Sequence, residues 1–151
     1  MNLIERINAD LKKAMLARDE FTTTTLRGLK SAILYEEVAK GKRDEGLSDA
    51  EIEEIVVKEA KKRDDALKIY LKAEDNERAD KEDRELKIIT EYLPEQISHE
   101  DTIVKISEII AENDFDVQKD FGKIIGAAKK KLGNATTGEK ISNILKQEFM
   151  K

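Results

Sequence analysis

The sequence predicts an all-α protein, with an N-terminal helical domain built on a long helical hairpin over residues 1–93 and a small C-terminal three-helix domain over residues 94–151. Three observations predict it. Apolar residues recur at spacings of three and four along most of the chain, the period of one helix face. Charged residues make up 40% of the sequence and aromatics only 5%, which suits long amphipathic helices with narrow apolar stripes. One proline and seven glycines leave little material for the turns of a sandwich or barrel.

The first helix follows from Leu3, Ile4, Ile7, Leu11, Ala14 and Met15 on one face, with Arg6, Asp10, Lys12 and Lys13 falling elsewhere. Asp19 is the expected N-cap of the second helix, whose stripe is Leu26, Leu29, Ile33, Leu34 and Val38. Thr22–Thr25 open that helix with poor propensity, so tertiary contacts are expected to hold the turn. Gly41 and Gly46 bracket a solvated loop, and Ser48 with Glu51 forms a capping box ahead of a long third helix. A polar break at Glu74–Glu77, with Asn76 as the expected cap, starts a fourth helix whose apolar end is Leu86, Ile88, Ile89, Tyr92 and Leu93. Between Arg63 and Glu85 charge dominates, so much of this hairpin is expected to stand in solvent.

Pro94, the only proline, removes a backbone N–H and pushes Leu93 out of the α region, so the fourth helix must stop by there. Ser98 restarts a helix carrying Ile103, Val104, Ile106, Ile109 and Ile110, which Asn113-Asp114 ends. A sixth helix runs from about Asp120 to Leu132, with Gly133 as a left-handed C-terminal cap. The last spans Glu139–Phe149, turning Ile141, Ile144, Leu145 and Phe149 inward.

Composition excludes several chemistries. The chain has no cysteine, which removes disulfides, thiolate catalysis and cysteine zinc sites, and fits a reducing, cytoplasmic setting. No apolar run approaches the roughly 18–20 residues of a membrane span. Met1–Arg6 lacks the layout of a signal peptide and reads as the first turn of a helix. Net charge is −5, but residues 48–97 carry −6 whereas residues 117–151 carry +5, so the chain is polarised.

No motif in the chain marks a catalytic residue, a metal site or a cofactor. His99, the only histidine, lacks partners for a metal or a triad and reads as a surface residue. The acidic run Glu74–Glu85 has no glycine for a calcium loop and reads as a solvated helix face. Gly133–Lys140 approaches a phosphate-binding loop, but Glu139 stands where lysine is required and a helix precedes it, so no nucleotide site is expected. Gly122 and Gly126 stand four apart inside a helix, at about 1 kcal/mol each relative to alanine. Either another helix approaches them closely, the favoured reading, or an RNA backbone does. The candidate RNA-binding set is therefore Gly122, Lys123, Gly126, Lys129, Lys130 and Lys131, extended by Lys140 and Lys146 on the last helix. Lysines near a helix C-terminus also complement its dipole. Residues 94–151 hold no arginine and only Phe115, Phe121 and Phe149 as aromatics, so phosphate and shape recognition are the physics available.

Tyr92-Leu93-Pro94-Glu95-Gln96, then Phe121-Gly122-Lys123-Ile124-Ile125-Gly126, then a lysine-rich turn into an amphipathic last helix resemble the bacterial YqeY proteins of the GatB/YqeY family. Leu3–Ile7 and Arg27–Ile33 fit the same family, so the resemblance covers essentially the whole chain. It implies a helical N-terminal domain and a three-helix C-terminal domain, both similar to the helical and tail regions of the GatB component of the glutamine-dependent tRNA amidotransferase. In that enzyme this region engages tRNA, while the kinase and amidase chemistry lies elsewhere. The resemblance also brings an association with carbon–nitrogen ligase activity with glutamine as amido-N-donor. The turn after the sixth helix departs from the pattern: Asn134-Ala135-Thr136-Thr137-Gly138 replaces a basic residue followed by Ala-Asp-Gly or Ala-Asn-Pro. The expectation is a non-catalytic helical protein with tRNA as partner. The rivals are an adaptor that meets a protein partner through the acidic hairpin and, last, an autonomous amidotransferase, for which no nucleophile or nucleotide loop is evident.

Overall fold

The computed structural model describes residues 1–151, as seven α-helices with no strand. The chain divides into two compact units, Met1–Leu93 and Pro94–Lys151.

The first unit holds α1 (Leu3–Leu16), α2 (Glu20–Ala39), α3 (Asp49–Lys72) and α4 (Asn76–Thr90). Each start is capped by a side chain. Asn2 and Glu5 form a capping box at α1, Ser48 and Glu51 another at α3, while Asp19 and Asp75 accept from Thr22 N and Arg78 N. The cap of α4 is thus Asp75 rather than Asn76, because Glu74 at φ 59° turns the chain one residue early. The threonine turn of α2 is held locally as well as by packing. Thr22 donates to Asp19 Oδ2 at 2.7 Å, and Thr23 and Thr25 return their hydroxyls to the carbonyls of Asp19 and Phe21 at 2.7 and 2.9 Å. Hydroxyls satisfied four residues back can be buried at little cost, and Thr23 and Thr25 are buried.

The core of this unit gathers Ile7 and Leu11 of α1, Leu26, Leu29 and Ile33 of α2, Ile52, Ile55 and Val56 of α3, with Ile89 and Tyr92. Fully burying one such side chain contributes about 1.5–3 kcal/mol. Met15, Leu34 and Val38, expected in the stripes of the first two helices, are exposed instead. A four-helix unit covers only part of each circumference, and the outer edge of the apolar arc is left in solvent. Beyond Ala60 the hairpin of α3 and α4 has no buried residue other than Ala79 until Ile89, and Ile69 and Leu71 are exposed.

The second unit holds α5 (His99–Asn113), α6 (Phe121–Leu132), a 3₁₀ turn (Gly133–Ala135) and α7 (Gly138–Ile144), which widens into a π-helical turn at Leu145–Phe149. Its core is Ile106, Ile109, Ile124, Ala128, Ile141, Ile144 and Leu145. Val104 of α5 faces solvent, against expectation. Ser98 caps α5 and Asp114, in the left-handed region, ends it. Gly133 closes α6 with φ 57° but ψ −135°, so it leads into the 3₁₀ turn and does not make the expected left-handed cap.

The segment around the proline is tied at both ends. Helical bonding of α4 ends at Thr90, before Leu93, and Tyr92 and Leu93 continue as turns. Tyr92 is buried in the first unit and donates its hydroxyl to Asp10 Oδ2 at 2.6 Å. In the second unit Gln96 Nε2 donates to the carbonyls of Pro94 and Asn134 at 2.8 and 3.0 Å, and Ile97 N donates to Ala135 O at 2.9 Å. The tyrosine and the glutamine therefore each fasten one side of the proline to its own unit.

Candidate nucleic-acid interface

The eight candidate residues begin on α6. Ile124 and Ala128 face the core with no exposure, and at about 100° per residue the opposite ridge carries Gly122, Gly126 and Lys130, with Lys123 beside them. Both glycines are exposed, and a Cβ built on either meets nothing within 4 Å. No neighbouring helix approaches them. The favoured expectation of a close helix–helix contact therefore fails, and the glycines leave a bare strip of backbone facing solvent.

The lysines around this strip do different things. Lys123 is largely exposed, with Asp120 Oδ1 3.8 Å away. Lys130 is exposed and stands outside the ion pairs of the chain. Lys129 turns back over the end of its own helix, donating to the carbonyls of Gly133 and of Thr136 (3.2 Å), with Asn134 Oδ1 at 3.4 Å. The Gly133 carbonyl is one that the end of α6 leaves without a helical partner, and Thr136 lies just past the 3₁₀ turn, so this lysine caps the helix end, ties the turn back to it, and is not a free cation. Lys131 leans towards α5, where Glu108 Oε2 lies 3.8 Å away. Lys146 of the π-helical turn sits 6.0 Å from the centre of the Phe121 ring, close to the start of α6.

Lys140 belongs to another place. It lines a hollow of about 250 Å³ together with His99, Thr136, Asn143 and Gln147. His99 is half-exposed, as a surface histidine should be, and its Nε2 lies 3.5 Å from Glu148 Oε1. Sequence reading had no handle on this hollow, because it joins the start of α5 to α7 across some forty residues. The set therefore resolves into a strip of four residues on α6, Lys146 near its start, and three lysines turned to other tasks or places. Taken whole, the second unit has nine lysines and ten carboxylates, so only its α6 and α7 portion is basic.

The first unit has a groove of about 490 Å³ that the sequence did not suggest. Arg6 lies over the Tyr92 ring at 4.8 Å and donates to Glu91 O at 2.9 Å, while Asp10 takes the Tyr92 hydroxyl. Burial first, and then the hydrogen bond to the Asp10 carboxylate, push the Tyr92 phenol well above its ordinary range. Arg6 and Asp10 fell off the apolar stripe in the sequence. Their spacing of four, which puts both on one side of α1, was the available signal.

The structure has no helix long and apolar enough to cross a membrane. A family described as Yqey-like protein matches residues 4–149. Among curated proteins, the mitochondrial protein named altered inheritance of mitochondria protein 41 is 30% identical in Lachancea thermotolerans, over 74% of this chain and 60% of its own length. Its counterpart in Kluyveromyces lactis is 30% identical over 80% of this chain and 68% of its own length. That of Saccharomyces cerevisiae is 28% identical over 86% and 62%. The chain thus spans about two thirds or less of the length of these relatives.

Proposed function

The chain belongs to the YqeY-like family, and from that premise we propose that it is a tRNA-binding helical protein whose second unit meets the phosphate backbone along α6. The observation that carries the reading is the open glycine strip. Gly126, in the middle of the exposed face of α6, costs stability, Gly122 stands in the first turn, and neither packs against anything in the chain, so the space they leave suits a ligand backbone brought close. Lys123 and Lys130 flank the strip and supply the charge for phosphates, and Lys146 extends it. With no arginine and no exposed aromatic stack in this unit, binding follows shape and phosphate spacing and reads no bases.

The role is binding, and the amide-transfer chemistry associated with the family belongs to a partner enzyme in this reading. The absence of cysteine suits a reducing compartment, which we take to be the cytoplasm. An adaptor role for the acidic hairpin ranks second. Its exposed apolar residues, Ile69 and Leu71, stand two positions apart and so point to nearly opposite sides of α3.

The test is tRNA binding over a salt series, comparing the native chain with Lys123→Gln/Lys130→Gln. Each phosphate left without its lysine is expected to lower the slope of log affinity against log salt by about 0.7–0.9. Equal slopes for the two proteins, or no binding at low salt, would overturn the proposal.

A further inference from the structure

The hollow at the start of α5 brings together polar side chains that nothing else in the chain uses. Lys140, Asn143 and Gln147 line it from one ridge of α7 and its π-helical turn, at spacings of three and four. All three are exposed, and their side chains make no hydrogen bond or ion pair within the chain. His99 lines it from the first residue of α5, where the positive end of the helix dipole lies.

Thr136 supplies a second, independent sign. It is 2% exposed and lines the same hollow, with its carbonyl taken by Lys129 and its hydroxyl by nothing in the chain. Thr102, the other buried threonine of the lining, returns its hydroxyl to Ser98 O at 2.7 Å. A buried hydroxyl without a partner is destabilising, so Thr136 is a donor left for something outside the chain. The lining also carries charge of one sign. Lys140 is its cation and no carboxylate lines it. Glu100 and Asp101 of the first turn of α5 lie outside the lining, as does Glu148, which meets His99 Nε2 at 3.5 Å. The groove of the first unit differs, since Asp10, Asp19 and Glu91 line it.

We propose that this hollow binds a phosphate group, free or carried on a sugar. Lys140 supplies the charge, while the Thr136 hydroxyl, the Asn143 and Gln147 amides and the His99 ring supply donors from three parts of the unit. That set suits the several acceptor oxygens of a phosphate better than the two of a carboxylate. At about 250 Å³ the hollow has room for a sugar beside the phosphate. The amides and the hydroxyl accept as well as donate, which suits sugar hydroxyls.

Titration of the full chain with sodium phosphate and with ribose 5-phosphate, followed by amide NMR against sodium chloride at equal ionic strength, tests it. The expected result is saturable shifts of the Thr136 and Lys140 amides and of the Asn143 and Gln147 side-chain amides, complete by about 10 mM ligand. Tighter binding of ribose 5-phosphate assigns the site to a sugar ester, and equal or weaker binding assigns it to free phosphate. Lys140→Gln and Thr136→Val are each expected to weaken binding by about three- to tenfold. Thr136→Val keeps the shape of the side chain and removes a hydroxyl that holds nothing in the chain, so its unfolding midpoint should stay or rise. Shifts no larger than those in chloride, undiminished binding in either variant, or a Thr136→Val chain that loses stability overturns the proposal.

Discussion

Replacing Lys129 by methionine removes an ammonium group while keeping most of the aliphatic stem, and the structure says what that group holds. It donates to two backbone carbonyls, those of Gly133 and Thr136, and reaches the side chain of Asn134. A hydrogen bond to a charged group contributes about 1.5–3 kcal/mol when it is shielded from water. Lys129 is half-buried, so water takes over part of the work, and the two bonds together are worth about 1–2 kcal/mol. A domain the size of Pro94–Lys151 shifts its Tm by about 4–8 °C per kcal/mol, so a fall of about 5–15 °C is expected for the transition of that unit. Hydrogen exchange followed by mass spectrometry on the full chain localises the effect: amides from Leu132 to Thr136 should exchange about 5–30 times faster. Lys130→Met, one residue along and exposed, is expected to stay within about 0.5 kcal/mol of the native chain. Equal effects from the two substitutions, or an unchanged transition in Lys129→Met, would refute the assignment of Lys129 as a cap.

Two further predictions concern the first unit. Glu51 accepts from Ser48 N and from Lys40 and Lys42, and these bonds, led by the backbone one, hold its pKa down to about 2. A carboxylate depressed in the folded state adds stability that is fully present above its unfolded pKa, about 4.3, and is lost as pH falls towards about 2. The stability gap between the native chain and Glu51→Gln should therefore narrow as urea midpoints are measured from neutral pH down to the acid range, and a constant gap would contradict it. Tyr92→Phe removes the 2.6 Å bond to Asp10 without opening a cavity, and should cost about 1–2 kcal/mol in denaturant unfolding; no change would mean the bond does not form in solution.

The parts of this fold that sequence made legible are those governed by local rules. Helix starts at Asp19, Ser48 and Ser98 were readable because a short polar side chain can reach its third following N–H whatever the tertiary structure. Asn76 was misread because the left-handed turn at Glu74 moved the cap back by one, and nothing in a run of four polar residues signals which will turn. Met15, Leu34 and Val38 fit an apolar stripe and still lie in solvent, because periodicity gives the direction of a face and not the width that neighbours will cover. On α6 the spacing of Gly122 and Gly126 was legible and its meaning was not, since the choice between helix packing and open space depends on residues far along the chain. Lys129 and Lys130 are adjacent and chemically identical, and only the path of the chain after Gly133 decides that one folds over the helix end.

If the bare strip on α6 exists to let an RNA backbone come close, filling it should block that approach. Gly126→Leu tests this most directly, because the position is exposed and open, so the variant should fold, with stability raised by up to about 1 kcal/mol. Measured against tRNA at fixed low salt, its affinity is expected to weaken by about tenfold or more, with that gain in stability confirmed on the same sample. A more stable Gly126→Leu that binds tRNA as tightly as the native chain would contradict the assignment of the strip to RNA.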